Sequence, residues 1–151
     1  MKDEEDFVLM NIAFFLLPKN DVVTVTLDST LRQTLERMEF HRYTAVPIID
    51  HDGAYVGTVT EGDLLWHMKN SNGKINFETA SKFLLKDVPL KMDIKPVRID
   101  ADMEDLINLA KVQNFVPVVD DRGRFIGIVR RSQIIEYCEK FVTKDVSSSS
   151  F

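Results

Sequence analysis

Short apolar runs and amphipathic segments alternate along this chain. Val22–Thr26 is β-branched throughout and reads as a strand. Asp28, Ser29 and Thr30 offer caps for a helix carrying Leu31, Leu35 and Met38 on one face. Val46–Asp50 and Tyr55–Thr60 read as strands joined through His51, Asp52 and Gly53, a hairpin connection. Leu64, Leu65 and Met68 give the next helix its apolar stripe. Lys69–Asp93 opens with the polar turn NSNGK and predicts a short helix around Phe77–Leu85. The same elements then return: strand Pro96–Ile99, helix Asp102–Val112, strands Phe115–Asp120 and Phe125–Arg130, helix Ser132–Phe141. At the N-terminus, Phe7–Leu17 is strongly apolar but too short to span a bilayer, and Pro18 ends it. It reads as a helix within residues 1–17, docked on the core. The polar end, residues 142–151, reads as a disordered tail.

The recurrence is a repeat. VPIIDHDGAYVGTV, starting at Val46, lies over VPVVDDRGRFIGIV, starting at Val116. Pro47 matches Pro117, Asp50 matches Asp120, Gly53 matches Gly123 and Gly57 matches Gly127, each pair 70 positions apart. Upstream, VTLDSTLRQTL lies over VRIDADMEDLI at an offset of 72. The second copy therefore lacks two residues between its helix and its strand. One copy is too small to bury both faces of its sheet, so the two must pack as one unit. The predicted fold is α/β: two pseudo-symmetric β-α-β-β-α units packed sheet to sheet, with equivalent edges forming two clefts.

Composition and charge narrow the function classes. The 151 residues are 44% apolar and 28% charged, as in a soluble globular protein. A net charge of −5 argues against a general nucleic-acid binder, and the acidic start MKDEED against a secretory signal. One cysteine, Cys138, excludes an internal disulfide framework and fits a cytoplasmic setting. His41, His51 and His67 show no metal-ligand spacing. No Ser/His/Asp set, P-loop or dinucleotide G-x-G-x-x-G is present, so neither an enzyme nor a required cofactor is expected.

PKNDVVTV, YTAVPIID, VGTVTEGDLL and NFVPVVDDRGRFIGIV carry a resemblance over Pro18 to Phe141: the chain resembles a tandem pair of CBS domains, also called a Bateman module. On that resemblance, residues 18–70 form repeat 1, 71–93 a connecting segment and 94–141 repeat 2. Such pairs bind adenosine-containing ligands, among them AMP, ADP, ATP, S-adenosylmethionine and cyclic di-AMP, and report the binding to a partner protein. They commonly form homodimers. The resemblance thus implies a regulatory sensor acting in trans on an effector protein, with no nucleic acid and no membrane involved. Two alternatives stay open, a cyclic di-AMP signalling protein and a scaffold with vestigial clefts.

The resemblance also implies which residues meet a ligand. Each cleft joins the strand-end motif G-x-x-T-x-x-D of one copy to the first strand and the segment before V-P of the other. Cleft A takes Gly57, Thr58, Thr60 and Asp63, with Val97, Arg98, Asn114, Phe115 and Val116 opposite. Thr60 offers a hydroxyl, backbone N–H groups open the following helix, and the Asp63 carboxylate suits a ribose diol. Helix capping by Thr60, Glu61 and Asp63 is the competing reading. Glu61 opposes a phosphate here, with Lys91, Lys95 and Arg98 as compensating charge. Cleft B takes Ile128, Arg130, Arg131 and Gln133, with Val23, Thr24, Tyr43, Thr44, Ala45 and Val46 opposite. Its motif has lost the diol acceptor to Gln133 and gained two guanidiniums, which suit phosphates. They either hold a phosphate-rich ligand or pair with acidic neighbours and close an empty cleft. Leu64, Leu65 and Met68, with Ile134, Ile135 and Cys138, are the residues expected to build a homodimer face.

Overall fold

The computed structural model describes residues 11–148. Its regular elements are β1 (Leu17–Pro18), α1 (Leu31–His41), β2 (Ala45–Ile49), β3 (Tyr55–Thr60), α2 (Glu61–Lys69), β4 (Val97–Arg98), α3 (Met103–Ala110), β5 (Phe115–Val119), β6 (Phe125–Arg130) and α4 (Arg131–Ser148). Of the helix expected over residues 1–17, residues 1–10 lie outside the described residues. Ile12–Phe15 form a single 3-10 turn and Leu17 already belongs to β1. At the other end α4 runs on to Ser148, through residues expected to be a disordered tail.

The doubled motif folds twice in the same way. β2 pairs antiparallel with β3, and β5 with β6, each ladder shifting by one residue at Ile48/Ile49 and Val118/Val119. Asp50 Oδ1 accepts from the Asp52 and Ala54 N–H groups, and Asp120 Oδ1 from those of Arg122 and Arg124. Gly53 (φ +83°) and Gly123 (φ +81°) then supply the left-handed residue that each turn needs. The two turns pair reciprocally: Tyr55 N–H donates to the Gly123 carbonyl, Phe125 N–H to the Gly53 carbonyl, and the Tyr55 and Phe125 rings stack at 6.4 Å. That reciprocity marks the pseudo-two-fold axis.

The first strands are short. β4 pairs parallel with β5, whereas Val22–Thr26 contributes only one parallel bridge, Val25 to Ile48. Val22 and Val23 turn to cleft B. The N-terminal segment crosses to the other copy: β1 pairs with β6, giving the sheet order β1-β6-β5-β4. Pro18 is tolerated there because β1 is an edge strand. Gly127 is required there because a Cβ would run into the Leu17 carbonyl.

Each copy has its own core. Leu31, Met38, Val46, Ile48, Val59 and Leu64 form one, completed by Ile75, Ala80, Leu85 and Val88 of the connecting segment. Leu106, Val116, Val118, Val129 and Ile134 form the other, completed by Ile12 and Phe15 from the N-terminal side. Instead of the short helix expected around Phe77–Leu85, the connector makes 3-10 turns at Ala80–Lys82 and Leu85–Asp87. Its backbone bonds go to the chain beside it: Leu31 N–H to the Phe83 carbonyl, Leu85 N–H to Ser29, and Lys86 N–H to Leu27. No helix among the described residues is long and apolar enough to cross a membrane.

Candidate ligand-binding clefts

α1 ends at Arg42, whose left-handed backbone (φ 60°, ψ 34°) throws the chain from the helix into Tyr43–Ala45 and β2. β6 brings Ile128 and Arg130 to the facing edge. Between them lies cleft B, about 370 Å³, lined by Val22, Val23, Tyr43, Thr44, Ala45, Phe115 and Ile128 as an apolar and aromatic wall. Its charged side chains are Asp21, Arg42 and Arg130. Arg130 is exposed and has no ion-pair partner among the described residues. A cavity of this size, apolar with a few placed charges, matches a small-molecule site.

The pseudo-equivalent cleft A, about 330 Å³, is lined by Thr60, Glu61 and Gly62 on one side and Val112, Gln113, Asn114 and Phe115 on the other. Met92 of the connector and Ile94, at the start of repeat 2, form its edge. Thr44–Ala45 and Asn114–Phe115 line both clefts, so the two share a wall across the axis. Glu61 is the one ionisable side chain facing cleft A. The expected compensating cations lie elsewhere. Arg98 is engaged by Asp100 at 3.0 and 2.8 Å, and the Lys91 and Lys95 side chains do not line the cleft.

The sequence-based site is therefore assembled in part. Thr60, Asn114 and Phe115 line cleft A; Val23, Tyr43, Thr44, Ala45, Ile128 and Arg130 line cleft B. Val46 and Val116 are in the cores, because strand neighbours face opposite sides and Ala45 and Phe115 take the cleft side. Thr58 is buried, its hydroxyl 2.7 Å from the Tyr55 hydroxyl. Gly57 faces Leu90 in a separate depression, and Val97 and Arg98 line another with Asp100 and Asp105. Thr24 is half-buried, with its carbonyl accepting from Arg37. Arg131 turns inward, its Nε donating to the Ala110 and Gln113 carbonyls at 2.8 and 3.0 Å, so it closes the end of α3. Gln133 is half-buried, with Oε1 buried and unpartnered. Asp21, Arg42 and Ser132 were missed in cleft B. Ser132 was traceable through the repeat, as the counterpart of Gly62, which lines cleft A.

Asp63 does not face open cleft. It is 3% exposed, and both carboxylate oxygens accept from backbone. Thr60 N–H donates to Oδ2 at 2.9 Å and Lys91 N–H to Oδ1 at 3.0 Å, while Asp63 N–H donates to Thr60 Oγ1. The helix N-terminus is likewise occupied, with Glu61 N–H on the Thr44 carbonyl and Arg131 N–H on the Asn114 carbonyl. The Asp63 bond straps the connector over β3, and Tyr55 adds a second clasp by donating to the Ile94 carbonyl at 2.8 Å. Burial pushes the Tyr55 phenol up to about 12; the Thr58 hydrogen bond opposes that rise and the nearby Asp93 charge adds to it.

Residues 16–70 and 85–140 both match the CBS domain family model. The chain belongs to the CBS domain family. A CBS domain-containing protein of Dictyostelium discoideum is 28% identical over 133 residues, covering 84% of this chain and 91% of that protein. Among solved structures, CbpB in complex with cyclic di-AMP superposes with a TM-score of 0.82 at 22% identity, covering 97% and 96% of the two chains. CBSX2 in complex with AMP superposes at 0.67 and 24% identity, covering 87% and 97%. These likenesses establish the tandem CBS fold. Within it the two clefts differ in charge: cleft B presents guanidiniums and cleft A a carboxylate.

Proposed function

We propose that this CBS pair is a regulatory, non-catalytic sensor of an adenine nucleotide, taken up in cleft B, and that cyclic di-AMP fits its chemistry best. The observation that carries the reading is Arg130, a guanidinium without an acidic partner over an apolar wall. A phosphate oxygen supplies the counter-charge it lacks, in a charge-assisted bond worth at most roughly 1.5–3 kcal/mol, lowered by solvent screening at this exposed side chain. The charges of the lining point the same way. A 3′,5′-cyclic dinucleotide brings two phosphates to a cleft lined by two guanidiniums, Arg42 and Arg130. It has no vicinal ribose diol, because its 3′ oxygens are esterified, and so it needs no carboxylate to accept one. The likeness to a CBS structure holding cyclic di-AMP supports the reading.

AMP is the second candidate, favoured by Asp21, the one carboxylate lining cleft B, and by the likeness to the AMP-bound CBSX2; ADP and ATP share its diol. The output is binding to an unidentified effector protein, in a cytoplasmic setting that suits a chain with one cysteine. The working form is a homodimer. Leu65 on α2 and Ile135 on α4, 70 positions apart, are 59% and 55% exposed, equivalent apolar residues on the two helices expected to meet a second copy.

Calorimetric titration of cyclic di-AMP, AMP, ATP and adenosine at low and high salt tests the ligand, with sedimentation of the same samples testing the dimer. Cyclic di-AMP should bind most tightly, and its affinity should fall with salt and with Arg130→Ala. Adenosine binding as tightly as the charged ligands, indifferent to salt and to the arginine, would refute the reading, and a monomer at high micromolar concentration would refute the dimer.

A further inference from the structure

Arg42 occupies a position that the helix geometry reserves for another residue. Its N–H donates to the Glu39 and Met38 carbonyls, and Tyr43 N–H donates to the Met38 carbonyl at 3.0 Å. This is the C-terminal stop that normally carries glycine at its left-handed residue. A side chain there is strained, because its Cβ crowds the backbone. Gly53, Gly73 and Gly123 take positive-φ positions in turns, and Asn72 takes another with a residue type that tolerates it, yet here the residue is arginine. At the end of α3 the C-cap residue Lys111 is right-handed (φ −64°, ψ −31°), so the left-handed exit belongs to copy one alone.

The side chain stands between two cavities. It lines cleft B beside Asp21, Tyr43 and Arg130, and it lines the 860 Å³ groove between α1 and α2, where Glu36 is paired with Arg32 at 3.0 Å and Glu39, Glu61 and Glu78 are the remaining carboxylates. It has no ion pair within 4.0 Å and no hydrogen bond from its guanidinium among the described residues. Strain kept at a residue with an unengaged charge marks a position held for something other than stability.

We infer that Arg42 is the charge-reading residue of cleft B. Its guanidinium contacts the ligand phosphate together with Arg130, and through it occupancy of cleft B is linked to the charge of the α1–α2 groove. With cleft B empty, the guanidinium offsets the groove carboxylates from a distance. A phosphate in the cleft is the closer and stronger attractor, and drawing Arg42 to it leaves Glu39, Glu61 and Glu78 with less compensation. The linkage must be reciprocal. The inference rests on the reading of cleft B as a nucleotide site.

Arg42→Gly separates function from folding, because glycine relieves the strained backbone while deleting the charge. Wild type, Arg42→Gly, Arg42→Lys and Arg130→Ala are titrated with cyclic di-AMP, AMP and adenosine at two salt concentrations, and each is melted. Arg42→Gly should melt at or above the wild-type temperature. It should bind cyclic di-AMP about tenfold more weakly at low salt, the loss expected for one charge-assisted bond, with a shallower salt dependence and adenosine binding unchanged. Arg42→Lys should recover part of the affinity. If Arg42→Gly binds as the wild type does while Arg130→Ala loses affinity, the role of Arg42 is refuted and the nucleotide reading stands. If wild type binds none of the three, that reading falls and takes this inference with it. A loss for adenosine equal to that for cyclic di-AMP would show that Arg42 shapes the cleft and does not read charge.

Discussion

Asp63 and Gln133 occupy the same position in the two repeats and should respond to substitution in opposite directions. Asp63 is almost fully buried, with one oxygen on Thr60 N–H and the other on Lys91 N–H. An asparagine there has one oxygen and one amide nitrogen. Whichever way it turns, one backbone N–H meets another donor, so Asp63→Asn loses one hydrogen bond to a charged group, about 1.5–3 kcal/mol. Asp63→Ala loses both and leaves two buried N–H groups to find water. Since the bonds share one side chain and do not add fully, the loss should be roughly 3–5 kcal/mol. For a chain of this size that lowers Tm by about 6–20 °C.

Gln133 has the opposite balance. Its Oε1 is buried without a partner, so desolvation is already unrecovered in the folded state. Gln133→Met keeps the length and removes the amide, and it should change stability by between 0 and about 1 kcal/mol in the favourable direction. The assay is urea unfolding followed by far-ultraviolet circular dichroism, comparing midpoints at constant slope. Asp63→Asn within about 0.5 kcal/mol of wild type would refute the strap, since surface substitutions already scatter that much. A Gln133→Met loss as large as that of Asp63→Ala would refute the opposite balance at Gln133.

Two further outcomes follow from the same geometry. Gly127→Ala should cost about 1–3 kcal/mol or more, because its Cβ meets the Leu17 backbone and pushes β1 off β6, whereas Gly57→Ala meets only the flexible Leu90 Cδ1 at 3.0 Å and should cost less than about 1 kcal/mol by the same urea assay. With the Tyr55 phenol raised to about 12, its protonated form favours the fold; that contribution is intact below the unfolded value near 10 and fades as pH climbs from there toward 12. Urea midpoints between pH 8 and 12 should therefore fall more steeply for wild type than for Tyr55→Phe, and parallel profiles would contradict the assignment.

The repeat was legible because its signature is written in residues that the backbone needs. The Asp50 and Asp120 turns and the left-handed Gly53 and Gly123 each require a specific side chain or none, so their spacing survives in the sequence as a fixed 70. Other features depend on partners far along the chain. β1 is two residues long and contains a proline, and nothing local says that it will cross to β6. The connector, expected to be helical around Phe77–Leu85, instead exchanges its backbone hydrogen bonds with Leu27, Ser29 and Leu31, more than 50 residues earlier in the chain.

The clefts fall between these cases. Their backbone frame could be read, but the orientation of each side chain could not be taken from a motif alone. Period-two alternation was enough to send Val46 and Val116 to the cores while Ala45 and Phe115 faced the clefts. Asp63 shows the deeper reason. Its motif fits a ribose anchor and a helix cap equally well, and only Lys91, 28 residues away, decides which of them this chain builds. That bond turns the motif carboxylate of copy one into part of the scaffold. The repeat whose motif looks degraded is thereby left with the cleft that presents a guanidinium, Arg130, unpaired among the described residues, while cleft A presents only the Glu61 carboxylate.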